Sequence, residues 1–116
     1  MNKDILKEAG IDYDEGVARF SGMNTLYEKH VRKYLQDNTF AKLDTAMKTG
    51  DYEMAFRLAH DWKGLVGNLS LHSLYEASCP FVEMLRNGAD VEGAKAMHTD
   101  LEEKQNIVLD AIRRAE

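Results

Sequence analysis

Cysteine and proline are almost missing from this chain: each occurs once, at Cys79 and Pro80. A lone cysteine excludes an intramolecular disulfide and any CxxC redox pair, and it fits a reducing compartment. Scarce proline, together with eight glycines and an apolar share of 44%, argues against a disordered or low-complexity chain and describes an ordinary folded protein. No run approaches the ~20 consecutive apolar residues that a membrane span needs, and the opening MNKDILKEAG lacks the apolar stretch of a secretory signal. The expected location is therefore cytoplasmic, with no membrane partner. Excess positive charge is also absent. Fifteen Lys and Arg against twenty Asp and Glu leave a formal charge of -5, which disfavours a nucleic-acid partner. At 116 residues the chain has room for one real core, and residues 1–116 are read as a single domain.

What is present is helical periodicity. Apolar residues recur at three- and four-residue spacing, and no stretch shows the sustained alternation of a half-buried strand, so the fold class is all-α. The pattern predicts a short N-terminal helix near Asp14 to Phe20, a longer one from Met23 to Gln36, and a third from Phe40 to Lys48 that stops at Gly50. Asp51 then caps a helix over Tyr52 to Leu69. After a break at Ser70, a fifth helix spans His72 to Arg86, is loosened or kinked by Pro80, and closes at Asn87 and Gly88. Asp90 opens the last helix, which reaches about Arg113. Short connections between such helices favour an antiparallel four-helix bundle with additional short N-terminal helices, and a monomer is the default.

The segment YEMAFRLAHDWKGLVGNLS separates into two faces at about 100° per residue. Leu58, Trp62, Leu65 and Leu69 fall within about 40° of the direction opposite His60, with Ala55 and Val66 beside them, so this stripe faces the core and His60 faces out. Around His60, within roughly 60°, lie Glu53, Phe56, Arg57, Lys63, Gly64, Gly67 and, if the helix extends that far, Leu71. Two helical glycines on the histidine's face are unusual, because each costs about 0.5 to 1 kcal/mol relative to alanine. They leave either clearance for a group on His60 or room for a close-packed helix. Lys63, three residues on, can reach an anion held by the imidazole or remain a solvated surface lysine. Phe56 is either part of a docking patch or partly buried.

The residues HDWKGLVGNLS closely resemble the HxxKGxxGNLG signature of histidine-containing phosphotransfer (HPt) domains. GDYEMAFRLAH before it, and LHSLYEAS followed by MLRNG after it, resemble the flanking pattern of that family, so that roughly Gly10 to Arg113 can be laid upon it. The resemblance implies a four-helix bundle in which His60 accepts a phosphoryl group from the phosphoaspartate of a receiver domain and passes it to another. Lys63 would steady the phosphoryl charge, Gly64 would leave room for it, and Gly67 with Asn68 would shape the helix end. The implied partners are response-regulator receiver domains and a hybrid sensor kinase. No autonomous kinase activity, cofactor or metal of its own is implied, and the sequence has no P-loop pattern or metal-ligand spacing. Phe56, Arg57 and Leu71 are the candidate receiver contacts, by wheel position.

Three residues depart from the signature. Trp62 stands where a smaller apolar residue is usual, and Ser70 where glycine is frequent. Val82 occupies the place of a polar residue able to bond the active imidazole, with Glu83 adjacent as a candidate substitute. His30, His72 and His98 lack the i,i+4 pairing of helical metal sites and are read as surface residues, and Cys79 as a small buried apolar one. The reading from a different class is a helical docking module that binds a receiver or regulator without being phosphorylated.

Overall fold

Four of the helices in the computed structural model, which describes all 116 residues, begin at an Asn or Asp whose side chain accepts backbone N–H groups of the first turn. Asn2 caps α1 (Lys3–Glu8), Asp12 caps α2 (Tyr13–Arg19), Asp51 caps α5 (Tyr52–Asn68) and Asp90 caps α7 (Val91–Arg114). The remaining helices are α3 (Asn24–Tyr34), α4 (Thr39–Thr49) and α6 (His72–Leu85), and there are no strands. Gly50 ends α4 in the left-handed conformation at φ 78°, and Asn87 and Gly88, at φ 54° and 67°, reverse the chain between α6 and α7. The expected helices therefore all form, within two residues of the periodicity. The six-residue α1 has no counterpart in the sequence reading, because so short an element shows barely two turns of pattern. α6 stays helical through Pro80, which lies on its exposed side, where the carbonyl deprived of a donor can meet water.

Helices α4, α5, α6 and α7 pack each on the next, and α7 closes against α4, which makes the four-helix bundle. Twenty-seven buried residues form one continuous core. A hydrogen-bonded relay crosses it: Trp62 Nε1–H donates to the Tyr34 hydroxyl (2.9 Å), which donates to Gln105 Oε1 (2.6 Å). Trp62 is thus accommodated by giving its indole N–H a partner from α3.

The buried stripe of α5 is Ala55, Ala59, Trp62, Val66 and Leu69, while Leu58 and Leu65 are only partly covered. The core face is therefore rotated by roughly 40° from the expected one, toward Ala59. Large side chains dominate the periodicity, whereas in the fold the small Ala55 and Ala59 are buried as completely as Trp62 and Val66.

The N-terminal helices are fastened to the turn between α5 and α6. Ile11 and Leu71 form an antiparallel bridge, Asp12 N–H donates to the Ser70 carbonyl (3.0 Å), and Ser73 N–H donates to that of Gly10 (3.1 Å). The Tyr27 hydroxyl, from α3, donates to the Leu69 carbonyl (2.7 Å). These bonds satisfy backbone groups that the end of α5 leaves open, and they lay α2 beside the C-terminal half of that helix.

Candidate functional site

His60 lies mid-way along α5 with its side chain exposed, and the core residues of the helix occupy the other side. It borders two surface grooves. The first, of about 380 Å³, gathers His60, Lys63, Gly64, Gly67 and Asn68 from α5, closed by Glu15 and Arg19 of α2 and by His72 and Tyr75 of α6. The second, of about 460 Å³, is lined by Phe56, Arg57, His60, Asp61 and Arg86. The residues of the sequence motif are thus brought together on one surface.

The two glycines prove different. A Cβ at Gly64 would meet nothing within 4 Å, so no neighbouring helix requires a glycine there and clearance beside His60 is the better account. A Cβ at Gly67 would lie 2.8 Å from Tyr75 Cδ1 and 2.9 Å from Cε1, so this glycine lets the tyrosine ring lie against the α5 backbone. Close packing explains Gly67. Tyr75 then forms one wall of the groove.

Phe56, one turn before His60, is partly buried, with its ring centroid 6.4 Å from the imidazole, and the Arg86 guanidinium sits 5.0 Å above it. Arg57 is exposed and bonded to Glu53 at 2.7 Å. Leu71 does not belong to this surface. α5 ends at Asn68, and Leu71 turns inward, fully buried against the N-terminal segment, so its expected role as a receiver contact is withdrawn.

Glu83 does not replace the missing partner of the imidazole. Both of its carboxylate oxygens are engaged by Arg86, at 3.0 and 3.1 Å, and Val82 is buried in the core. The Arg86 guanidinium, with the nearby charge of Lys63, holds the Glu83 carboxyl below the usual range. The orientation of His60 is therefore left to its rotamer and to the Phe56 ring.

Arg19, Glu15, His72 and Tyr75 are the groove residues that sequence reasoning missed. Glu15 is the hub of this wall. Its Oε1 accepts from Arg19 Nε (3.2 Å) and from the Ser70 hydroxyl (3.1 Å), and its Oε2 lies 3.0 Å from His72 Nε2. Arg19 above all, with His72 and Ser70, holds the Glu15 carboxyl below its usual range. Glu15 and Arg19 lie more than forty positions before His60, and His72 and Tyr75 stand on the next helix, so the periodicity of α5 does not reach them.

His98 is buried, contrary to expectation, between the rings of Phe40 and Phe81, at 6.3 and 6.5 Å. Its Nε2 is 3.0 Å from Asp44 of α4, and its Nδ1 is 3.4 Å from Glu102 one turn on. The clusters Asp44/His98/Glu102 and Asp12/Glu15/His72 each bring three potential ligand atoms within 4.8 Å of one another. In both, carboxylates face an imidazole across two elements. Cys79 is half-buried rather than buried. No helix is long and apolar enough to cross a membrane.

Comparison of the chain with known protein families, with curated proteins and with solved structures finds no match.

Proposed function

We propose that this protein is a phosphorelay intermediate that accepts a phosphoryl group on His60 from the phosphoaspartate of a receiver domain and returns it to another receiver. The observation that carries this reading is the pairing of an outward-facing His60 with an open position at Gly64 and a lysine at Lys63 in the same groove. The groove gathers Lys63, Arg19 and two histidines around the single carboxylate of Glu15, a set of donors that suits an anionic ligand.

In the forward step the lone pair of a neutral His60 ring nitrogen attacks phosphorus. The N–P bond forms as the P–O bond to the aspartyl carboxylate breaks, and that carboxylate leaves with the electron pair. Lys63 offsets charge on the phosphoryl oxygens, and Gly64 admits both the group and the receiver surface that delivers it. The receiver supplies the metal and most of the transition-state electrostatics, so this chain contributes half of an active site. Phe56 and Arg57, with Arg86 over the phenyl ring, are the contact surface on the other side of His60.

The test is incubation with purified receiver domains from the same organism, charged with acetyl phosphate. Acid-labile label is expected on the wild-type chain and not on His60→Gln; equal labelling of the two sinks the proposal. The commitment of Glu83 to Arg86 favours one competing reading, a docking module that binds receivers without being phosphorylated. That reading expects receiver binding with no label on either chain.

A further inference from the structure

Arg19 is a groove residue whose position the motif does not explain. It stands at the last turn of α2, a separate helix held beside α5 by the Ile11–Leu71 bridge and the Asp12 to Ser70 hydrogen bond. Its side chain lines the same groove as His60 and Lys63 and is half exposed, so it has freedom to move. Its ion-pair partner is Glu15, four residues earlier, at 3.2 Å. Glu15 does not depend on Arg19 alone, because Ser70 donates to it and His72 Nε2 lies 3.0 Å from it. Its carboxylate thus stays partnered if the guanidinium leaves.

We infer that Arg19 is a second cation for the phosphoryl group on His60, held by Glu15 while the histidine is free and transferred to the phosphoryl oxygens once it is loaded. The inference rests on the phosphoacceptor reading of His60. An exposed i,i+4 pair such as Arg19–Glu15 is weak, whereas a guanidinium meets a phosphoryl group through two parallel N–H donors. The exchange therefore runs toward the phosphoryl group. Glu15 acts as a positioning residue: it parks Arg19 in the groove and keeps its charge from being fully available beforehand.

The chemistry gives the exchange a measurable sign. Hydrolysis breaks the N–P bond with the electron pair returning to the ring nitrogen, and water supplies the new P–O bond. The imidazole leaves readily only when its ring is protonated. A cation held on the phosphoryl oxygens disfavours that protonation, so Arg19 should prolong the life of the phosphorylated state.

Phosphoramidate serves as a small-molecule donor, with His60→Gln to identify the label at His60 and 31P NMR to follow its decay. Arg19→Gln is expected to shorten the half-life about threefold, the size of an exposed ion-pair effect, and Arg19→Lys to recover part of it. Glu15→Gln, which frees Arg19, should lengthen it. In the wild type, the Arg19 Nε–H resonance should move on phosphorylation and stay still in His60→Gln. Both positions are at the surface, and thermal unfolding of each variant checks that the fold is kept. An Arg19→Gln half-life equal to wild type, or Glu15→Gln shifting it in the same direction as Arg19→Gln, overturns this role for Arg19 and leaves His60 as acceptor. Wild type that takes no more label than His60→Gln overturns the acceptor reading and this inference with it.

Discussion

Gly64 and Gly67 are one helical turn apart and chemically identical, yet they answer to different constraints. At Gly64 an added methyl group meets open space, so Gly64→Ala should raise stability by about 0.5 to 1 kcal/mol through helix propensity alone. Under the proposed function the same substitution should slow labelling of His60, because the methyl would stand in the clearance beside the imidazole. At Gly67 the methyl meets the Tyr75 ring, and Gly67→Ala should lose about 1 kcal/mol as the ring is displaced. Urea unfolding of the two variants checks the contrast, and equal stability would show that Tyr75 does not need the glycine. Helical periodicity places His60 outside, as found, but large side chains draw the expected core axis away from Ala59, which is fully buried.

Among the elements, α5 depends on its ends and on one buried relay. Asp51 accepts from Met54 N–H at 3.2 Å, and Asp51→Ala should cost about 1 kcal/mol, read as a lower urea midpoint with an unchanged slope. The relay from Trp62 through Tyr34 to Gln105 joins α5, α3 and α7. Tyr34→Phe removes the shared hydroxyl and leaves an indole N–H and an amide oxygen without partners in the core, which should cost roughly 2 to 4 kcal/mol. Burial pushes the Tyr34 hydroxyl up to about 12, while its hydrogen bonds with Trp62 and Gln105 act in the opposite direction. The folded chain thus holds this proton more tightly than the unfolded one, where phenols titrate near pH 10. Its contribution to stability is complete below about pH 10 and is lost as pH rises through about 12. Unfolding followed from pH 9 to 12 should show this loss in wild type and less of it in Tyr34→Phe.

At the scale of the whole molecule, the bundle and the N-terminal helices meet along a seam, and Leu71 is its centre. Leu71→Ala should cost about 2 to 5 kcal/mol, as a fully buried leucine does, and under the proposed function the folded fraction should be labelled by a receiver at the wild-type rate. A slowed transfer with unchanged stability would instead return Leu71 to the docking surface. The same seam delivers Glu15 and Arg19 to the groove, so loss of the N-terminal helices would remove a wall of the site as well as a cover of the core. On the far side, Asp44 of α4 meets the buried imidazole of His98 on α7 and ties the two helices together, with Glu102 one turn further along α7.

The all-α class, most helix boundaries, the caps at Asp51 and Asp90, the stop at Gly50 and the outward direction of His60 are legible along the chain. Each of these is decided within about four residues, the reach of a helical turn or a capping bond. The motif residues Lys63, Gly64 and Gly67 were legible for the same reason, since they share one face of one helix. Packing between helices is what buries Leu71, sets His98 between two phenyl rings and brings Arg19 into the groove of His60. Those outcomes depend on contacts between elements up to scores of residues apart, such as Ser70 with Glu15 or Trp62 with Tyr34. They are set by how whole helices pack, and no local pattern of side chains encodes that in readable form.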